Sequence, residues 1–237
     1  MKHQSMKHQS MKYQWILFDA DETLFHFDAF KGMKLMFSRL DINFSQQDFQ
    51  QYQAVNKPLW VDYQNGDITA HQLQTIRFQA WADKLEISTD RLNELFLNAM
   101  ADTCQPLEGV PEMLQQLFGK VKMGIITNGF TQLQQIRLQR TELEKYFDLL
   151  VISEQVGFAK PDSKIFQYAW DKMGQPEKSQ VLMVGDNSSS DILGANRFGF
   201  DSCWYNAKQQ PPAKDEQGQP IDMTLQVTNY PQLMNQI

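Results

Sequence analysis

Five short apolar runs, each ending just before a polar or glycine-bearing turn, constrain this chain more than any other feature. They are Trp15 to Phe18, Met123 to Ile126, Leu149 to Ile152, Val181 to Val184 and Cys203 to Tyr205. Runs this short and this apolar suit strands buried on both faces. Stretches of helical period separate them. Pro111 to Phe118 opens with a proline, which the first helical turn tolerates. Thr131 to Arg140 sets Leu133, Ile136, Arg137 and Arg140 along one side. Ser163 to Met173 stops at Gly174 and Asp191 to Phe198 stops at Gly199, both placed to cap a helix end. Strands alternating with helices predict an α/β fold with a parallel sheet covered on both faces. Such sheets bind ligands beyond the carboxyl ends of their strands. A last strand, Thr224 to Val227, and a short terminal helix are expected at the edge. The Gln-, Pro- and Lys-rich stretch from Ala207 to Pro220 reads as a mobile loop.

One stretch breaks the alternation. From about Phe27 to Cys104 the pattern is helical throughout, with segments over Phe30 to Leu40, Thr69 to Leu85 and Thr89 to Met100. Ser45 with Asp48 has capping-box spacing. Leu92, Leu95, Phe96, Ala99 and Met100 form one apolar stripe, which reads as core. The expected organisation is therefore an α/β core over residues 11–26 and 105–237, with a helical module over 27–104. A module inserted after the first strand lies over the ligand site and would act as a cap. Before the core, MKHQS at Met1 to Ser5 is repeated at Met6 to Ser10 and begins again, altered, at Met11. Residues 1–10 read as a disordered extension.

A net charge of −6 speaks against a nucleic-acid backbone as partner. No apolar run is long enough to span a bilayer, so no membrane partner is expected. Cys104 and Cys203 stand alone without metal-type spacing and read as reduced thiols of a cytoplasmic protein. Oligomeric state stays open between monomer and homodimer.

The chemistry lies in four short motifs at or just after predicted strand ends. Asp19 and Asp21 follow the first strand, and Thr127, Asn128 and Gly129 the second. Lys160-Pro161 comes a loop after the third. Gly185-Asp186, with Asp191 beyond, follows the fourth. Two carboxylates two residues apart repel unless a cation sits between them. Mg2+ suits the role, because it takes few carboxylates and also contacts substrate phosphate. Mn2+ suits the same ligands. Asp186 would complete the protein ligands. The Thr127 hydroxyl, the N–H groups of the Asn128-Gly129 turn and the helix start near Thr131 together make an anion cradle. Lys160 supplies a compact positive charge for a phosphoryl group. Asp191 reads equally as an orienting residue or as a helix cap.

Asp19-Ala20-Asp21-Glu22-Thr23, Thr127-Asn128-Gly129, Lys160-Pro161 and Gly185-Asp186 with Asp191 resemble the four motifs of the haloacid dehalogenase superfamily, and the helical insert resembles its C1 cap. The resemblance implies a Rossmann-like core with central strand order 5-4-1-2-3 and an aspartyl-phosphate mechanism. It makes Asp19 the nucleophile and Asp21 the general acid, then base. It has Asp19, the main-chain carbonyl of Asp21 and Asp186 hold the metal, and Thr127 and Lys160 hold the phosphoryl oxygens. Thr23 is a supporting candidate beside Asp191. Within that superfamily dehalogenases lack a carboxylate at the Asp21 position and ion-pumping ATPases carry threonine there. Asp21 provides a proton for an alkoxide leaving group, which favours a phosphatase or phosphomutase.

From Met11 almost to the end, the chain is similar to the bacterial pyrimidine 5'-nucleotidase branch. The similarity runs through FDADETLF (Phe18 to Phe25), YQAVNKPLWVDYQNG (Tyr52 to Gly66), ITNGF (Ile126 to Phe130), QQIRL (Gln134 to Leu138), YFDLLVISE (Tyr146 to Glu154) and VLMVGD (Val181 to Asp186). It implies UMP, dUMP and dTMP as substrates. One departure is Asn187, where that branch has Ser or Thr. Phe25, Phe27, Phe30, Trp60 and Tyr63 are placed either to stack on a base or to form the cap's own core. Phe25 and Arg77 are the candidates for substrate specificity, Arg77 with a surface salt bridge as its other reading. The rival functions are a broad sugar-phosphate phosphatase or mutase on the same core, and a non-catalytic binding protein that keeps the fold.

Overall fold

Strand β1 (Trp15–Phe18) lies inside a six-stranded parallel sheet and is buried along its whole length. The sheet runs β3-β2-β1-β4-β5-β6, with β2 (Lys122–Thr127), β3 (Leu149–Ile152), β4 (Val181–Gly185), β5 (Asp201–Tyr205) and β6 (Leu225–Val227). The five central strands follow the expected order, and β6 extends the β5 edge. Phe18 is level with Ile125 of β2 and Val184 of β4. The ends of β1, β2 and β4 therefore fall side by side, and Asp19 N–H donates to the Val184 carbonyl at 2.8 Å. The computed structural model describes residues 11–237. The repeat over residues 1–10 lies outside the described residues.

Five helices follow β1. They are α1 (Ala29–Ser38), α2 (Gln46–Asn65), α3 (Ala70–Ile76), α4 (Gln79–Leu85) and α5 (Thr89–Thr103). They pack around an apolar cluster of their own, which includes Met33, Phe37, Phe44, Tyr52, Phe78 and Phe96 and reaches Phe130 and Leu133 below. The Ser45–Asp48 capping box opens α2, and Thr69 with Gln72 makes another at α3. The single helix expected over Thr69 to Leu85 is split at Arg77 and Phe78. There the Phe78 N–H bonds to the Thr75 carbonyl, a tightened turn. The break lets two bulky neighbours, Arg77 and Phe78, both turn inward.

The chain leaves and re-enters the sheet along two adjacent segments. His26 N–H donates to the Gln105 carbonyl at 3.0 Å and Leu107 N–H to the Leu24 carbonyl at 2.9 Å, with an antiparallel bridge between Phe25 and Pro106. A second tie lies further out. Asp102 at the end of α5 accepts from Arg39 at 2.6 Å and from Arg140.

Period-2 alternation divides the sheet faces. Ile16 and Phe18 pack with α6 (Val110–Leu117), Leu138 of α7 (Thr131–Arg140) and the terminal helix. Trp15 and Leu17 face the other layer. After β3 come the short α8 (Ser153–Val156) and then α9 (Ser163–Lys172). The second layer is built from α9 and α10 (Leu193–Phe198), and α11 (Tyr230–Met234) closes the chain. Ile16, Leu17 and Phe18 are wholly buried, each worth about 1.5–3 kcal/mol. The helix expected from Asp191 begins earlier, as a π-helical turn over Ser188–Ile192. Asn187 Oδ1 caps that turn by accepting from Ser189 and Ser190 N–H. The stretch from Ala207 to Pro220 has no helix or strand but holds defined turns, among them a bridge between Lys214 and Pro220. Cys104 and Cys203 are not bonded to each other. No helix among the described residues is long and apolar enough to cross a membrane.

Candidate active site

The turn after β1 is tight. Leu24 and Phe25 N–H both donate to the Ala20 carbonyl at 2.9 Å, and Glu22 adopts φ +58°. This turn presents Asp19 and Asp21 at the carboxyl edge of the sheet. Thr23 staples it to the fourth motif, because its Oγ1 accepts from Asp186 N–H at 3.0 Å. Tyr230 Oη donates to the Thr23 carbonyl from behind.

Lys160 is the hub of the site and is 1% exposed. Its ammonium reaches Asp19 Oδ1 at 2.6 Å, the Ile126 carbonyl at 2.6 Å and Asp191 Oδ1 at 2.7 Å. An ammonium has three donors, so all three are taken. A phosphoryl oxygen would have to exchange with one of them. Asp191 is thus a partner of Lys160 and not the helix cap. Its other oxygen accepts from Asn187 N–H at 3.0 Å. Gly185 makes room for it, since a Cβ there would fall 2.2 Å from Asp191 Oδ2.

The second motif divides its labour. Thr127 Oγ1 accepts from Gly129 N–H at 3.0 Å, which leaves the hydroxyl proton free to donate. The Asn128 side chain is spent on Lys160, accepting from its N–H at 2.7 Å and donating to its carbonyl at 2.9 Å. The start of α7 is also occupied, because Thr131 N–H donates to Glu154 Oε2 at 2.7 Å. The cradle is smaller than the sequence implies: Gly129 N–H and Thr131 N–H already have partners.

Asp19, Asp186 and Asp191 offer carboxylate oxygens that all lie within 4.8 Å of one another. Burial, with the nearby Asp191 and Asp21 charges, pushes the Asp19 carboxyl up to about 7 against the pull of Lys160. Burial and then Asp191 and Asp19 push Asp186 up to about 8. Burial depresses the Lys160 ammonium, but Asp19 and Asp191 outweigh it and the net shift is upward. Two observations fit a cation here. Among the described residues no hydrogen bond reaches the Asp186 carboxylate, and none reaches the Asp21 carbonyl oxygen. A hard divalent ion takes oxygen ligands of this kind.

Arg137, which was not among the sequence candidates, joins this site. It is as buried as Lys160, and its Nη1 donates to Asp21 Oδ1. Its guanidinium lies 4.5 Å over the Phe25 ring and donates to Gln134 Oε1. The available signal was its place one helical turn beyond Leu133, on an apolar row.

Two cavities meet at Asp21. A polar one of about 210 Å3 is lined by Asp19, Thr127, Lys160 and Asp186. An apolar one of about 170 Å3 lies under the inserted helices, lined by Phe27, Tyr52, Asn56, Arg77, Phe96 and Phe130 among others. Asp21, Trp60 and Gly129 border both. Of the aromatic candidates, Phe27 and Trp60 line these cavities. Phe30 packs on Phe44 and Phe49, and Tyr63 Oη donates to Ser153 Oγ at 2.7 Å. Phe25 lines neither cavity. The turn after Asp21 folds its ring beneath Arg137 into the core of the sheet. Arg77 does line the apolar cavity and, among the described residues, forms no surface salt bridge, because the helix break carries it inward.

Residues 13–199 match the family model of the haloacid dehalogenase-like hydrolases. The chain is 58% identical over 199 residues to the pyrimidine 5'-nucleotidase YjjG of Escherichia coli K12, covering 83% of this chain and 88% of that protein. It is 31% identical over 227 residues to the pyrimidine 5'-nucleotidase PynA of Streptococcus pneumoniae, covering 93% of each. The structure of the HAD-hydrolase YfnB from Bacillus subtilis, solved bound to magnesium, superposes with a TM-score of 0.80 at 25% identity and covers 94% of this chain and 97% of that one.

Proposed function

Because the chain belongs to the haloacid dehalogenase-like hydrolases, we propose that it hydrolyses pyrimidine nucleoside 5'-monophosphates such as UMP, dUMP and dTMP through an aspartyl-phosphate. The observation that carries this reading is the position of Asp21, which borders both the polar cavity and the apolar one. A phosphate ester placed with its phosphoryl group over Asp19 and its base beside Trp60 has its bridging oxygen next to Asp21. The similarity to YjjG and PynA supports the pyrimidine substrate.

Asp19 attacks phosphorus, forming a carboxylate O–P bond as the bond to O5' breaks. Asp21 gives its proton to the departing O5', and the nucleoside leaves. Asp21 then takes a proton from water as that water attacks the phosphoryl group, which frees phosphate and restores Asp19. Thr127 donates its hydroxyl proton to a phosphoryl oxygen. Lys160 offsets negative charge beside Asp19, and Asp191 and Asn128 hold Lys160 in place. Thr23 fixes the loop that carries Asp186. Asp19, Asp186 and the Asp21 carbonyl would hold Mg2+, or Mn2+, which supplies charge neutralisation at the phosphoryl group. Residues 27–104 serve as the cap that closes over the base. Two unpaired thiols favour a cytoplasmic setting.

The test is phosphate release from a nucleotide panel with Mg2+. Release from dUMP and dTMP is expected, with loss in Asp19→Asn and on chelation. Normal turnover by Asp19→Asn sinks the mechanism. A separate readout is thermal stability: Mg2+ should raise the wild-type Tm and raise that of Asp186→Asn less.

A further inference from the structure

Helix α2 carries one row of side chains from the apolar cavity to the polar one. Gln53, Asn56, Trp60 and Gln64 follow each other along it at helical spacing. Gln53 and Asn56 line the apolar cavity, Trp60 borders both, and Gln64 lines the polar cavity. Asn56 is 8% exposed, so its amide is buried beside the aromatic and aliphatic walls of the apolar cavity. Its Oδ1 accepts from the Tyr52 hydroxyl at 3.3 Å. Among the described residues its Nδ2 donates to no protein atom, and unlike Arg77 Nε that nitrogen keeps accessible surface. A buried donor without a partner is costly, and a ligand that accepts from it removes the cost.

The polarity of this amide is set from behind. The Arg77 guanidinium lies beside the Tyr52 hydroxyl. Arginine only donates, so the hydroxyl turns a lone pair towards Arg77 and gives its proton to Asn56. That takes the Asn56 oxygen and leaves the NH2 group for the cavity. Arg77 is itself held by Asn93, whose Oδ1 accepts from its Nη2 and whose Nδ2 donates to Gln74 Oε1 at 2.9 Å.

A nucleotide with its phosphoryl group over Asp19 enters this cavity with its base. Its sugar end stays at the junction that Asp21 and Trp60 mark, so the ring edge opposite the sugar faces the part of the row beyond Trp60. On a pyrimidine that edge is C4. Uracil and thymine carry a carbonyl oxygen there, which accepts, and cytosine carries an amine, which donates. We propose that Asn56 is the specificity-determining residue, its Nδ2 donating to the C4 carbonyl of uracil or thymine and opposing the C4 amine of cytosine with a second donor. This inference rests on the nucleotide reading given above.

The experiment compares kcat/KM of the full chain with Mg2+ for dUMP, dCMP and ribose 5-phosphate, which offers the same primary ester without a base. Wild type should prefer dUMP to dCMP by about tenfold or more, because the cytosine amine leaves a buried donor facing a donor. Asn56→Leu is close in size and removes the donor. It should lower kcat/KM for dUMP about tenfold, leave ribose 5-phosphate within about twofold and leave dCMP no lower, so that the preference disappears. If all three substrates fall together, Asn56 is structural and the assignment is overturned. A preference for dUMP over dCMP that survives Asn56→Leu also overturns it, and leaves the nucleotide reading standing. Equal turnover of dUMP and dCMP by wild type, both above ribose 5-phosphate, does the same. Equal turnover of dUMP and ribose 5-phosphate by wild type overturns the nucleotide reading and this one with it. Should Asn56→Leu not fold, wild type decides on the 2-pyrimidinone deoxynucleotide, which keeps the ring and lacks the C4 oxygen. A loss of about tenfold against dUMP is expected there, and turnover equal to dUMP overturns the proposal.

Discussion

The guanidinium of Arg137 lies beneath Asp21 and donates to its Oδ1 at 2.5 Å, while its face rests 4.5 Å over the Phe25 ring. An ion pair with one partner wholly buried fixes the other. Asp21 therefore has a defined position at the junction of the two cavities before any substrate arrives.

Arg137→Met should lower kcat about 10- to 100-fold, part of the 10²–10⁴ that a placed acid–base group contributes. KM for dUMP should change little, because Arg137 lines neither cavity. Arg137→Lys should recover part of the loss. Steady-state kinetics separates the two parameters, and a change confined to KM would refute the positioning role.

Removing the Lys160 charge leaves Asp19 and Asp191 facing each other in the interior. Lys160→Met should cost about 3–5 kcal/mol of stability, the usual penalty for stranding a buried charge. Urea denaturation without added metal measures it. A loss below about 1 kcal/mol would mean that the two carboxylates find other compensation.

Gly185→Ala places a methyl group where the Asp191 carboxylate now lies. β4 is buried at this point and cannot retreat, so Asp191 must swing away from Lys160. We expect a stability loss of about 1–3 kcal/mol, as for other overpacked sites, and a sharp fall in phosphatase activity. Retained activity would show that Lys160 needs no help from Asp191.

Asp102 at the end of α5 pairs with Arg39 beside it and with Arg140 of α7, which ties the inserted helices to the sheet domain. Burial alone would raise its carboxyl, but the hydrogen bonds and charges of Arg39 and Arg140 together outweigh it and hold the carboxyl below the usual range. A folded pKa below the unfolded value gives stability that is present above the unfolded pKa of about 3.9. That stability is lost as pH falls through the folded pKa. The arginines are about half exposed, so each pair is worth only about 0.2–1 kcal/mol. Asp102→Asn should accordingly be slightly less stable than wild type at pH 7. The gap should narrow as pH falls below the unfolded value, as thermal melts across that range would show.

Asp19, Thr127, Lys160 and Asp186 were legible because each sits on a short motif fixed to a strand end. The parallel register then brings those ends together without further information. Arg137 was not legible. An arginine on a helical row reads as solvent-facing, and its burial depends on Phe25 and Asp21, more than a hundred residues earlier in the chain. Phe25 was misread for the same reason: its ring is assigned by a turn, not by its neighbours in sequence. The helix break at Arg77 and Phe78 likewise follows from what the side chains meet. No glycine or proline marks it in the sequence. Asp191 could be read from sequence either as an orienting residue or as a helix cap, and the π-helical turn that Asn187 caps decides for the contact with Lys160.

The two segments that join the sheet domain to the five helices are hydrogen-bonded side by side, Leu24 to Leu107 and His26 to Gln105. Neighbouring strands lie only about 5 Å apart. Without the helices, the gap left in the core is therefore no wider than a tight hairpin can bridge. The carboxyl edge of the sheet and the inserted helices that form most of the apolar cavity are in this sense separate inheritances. The insert can be exchanged while the sheet keeps its fold, with Asp19 and Lys160 left untouched.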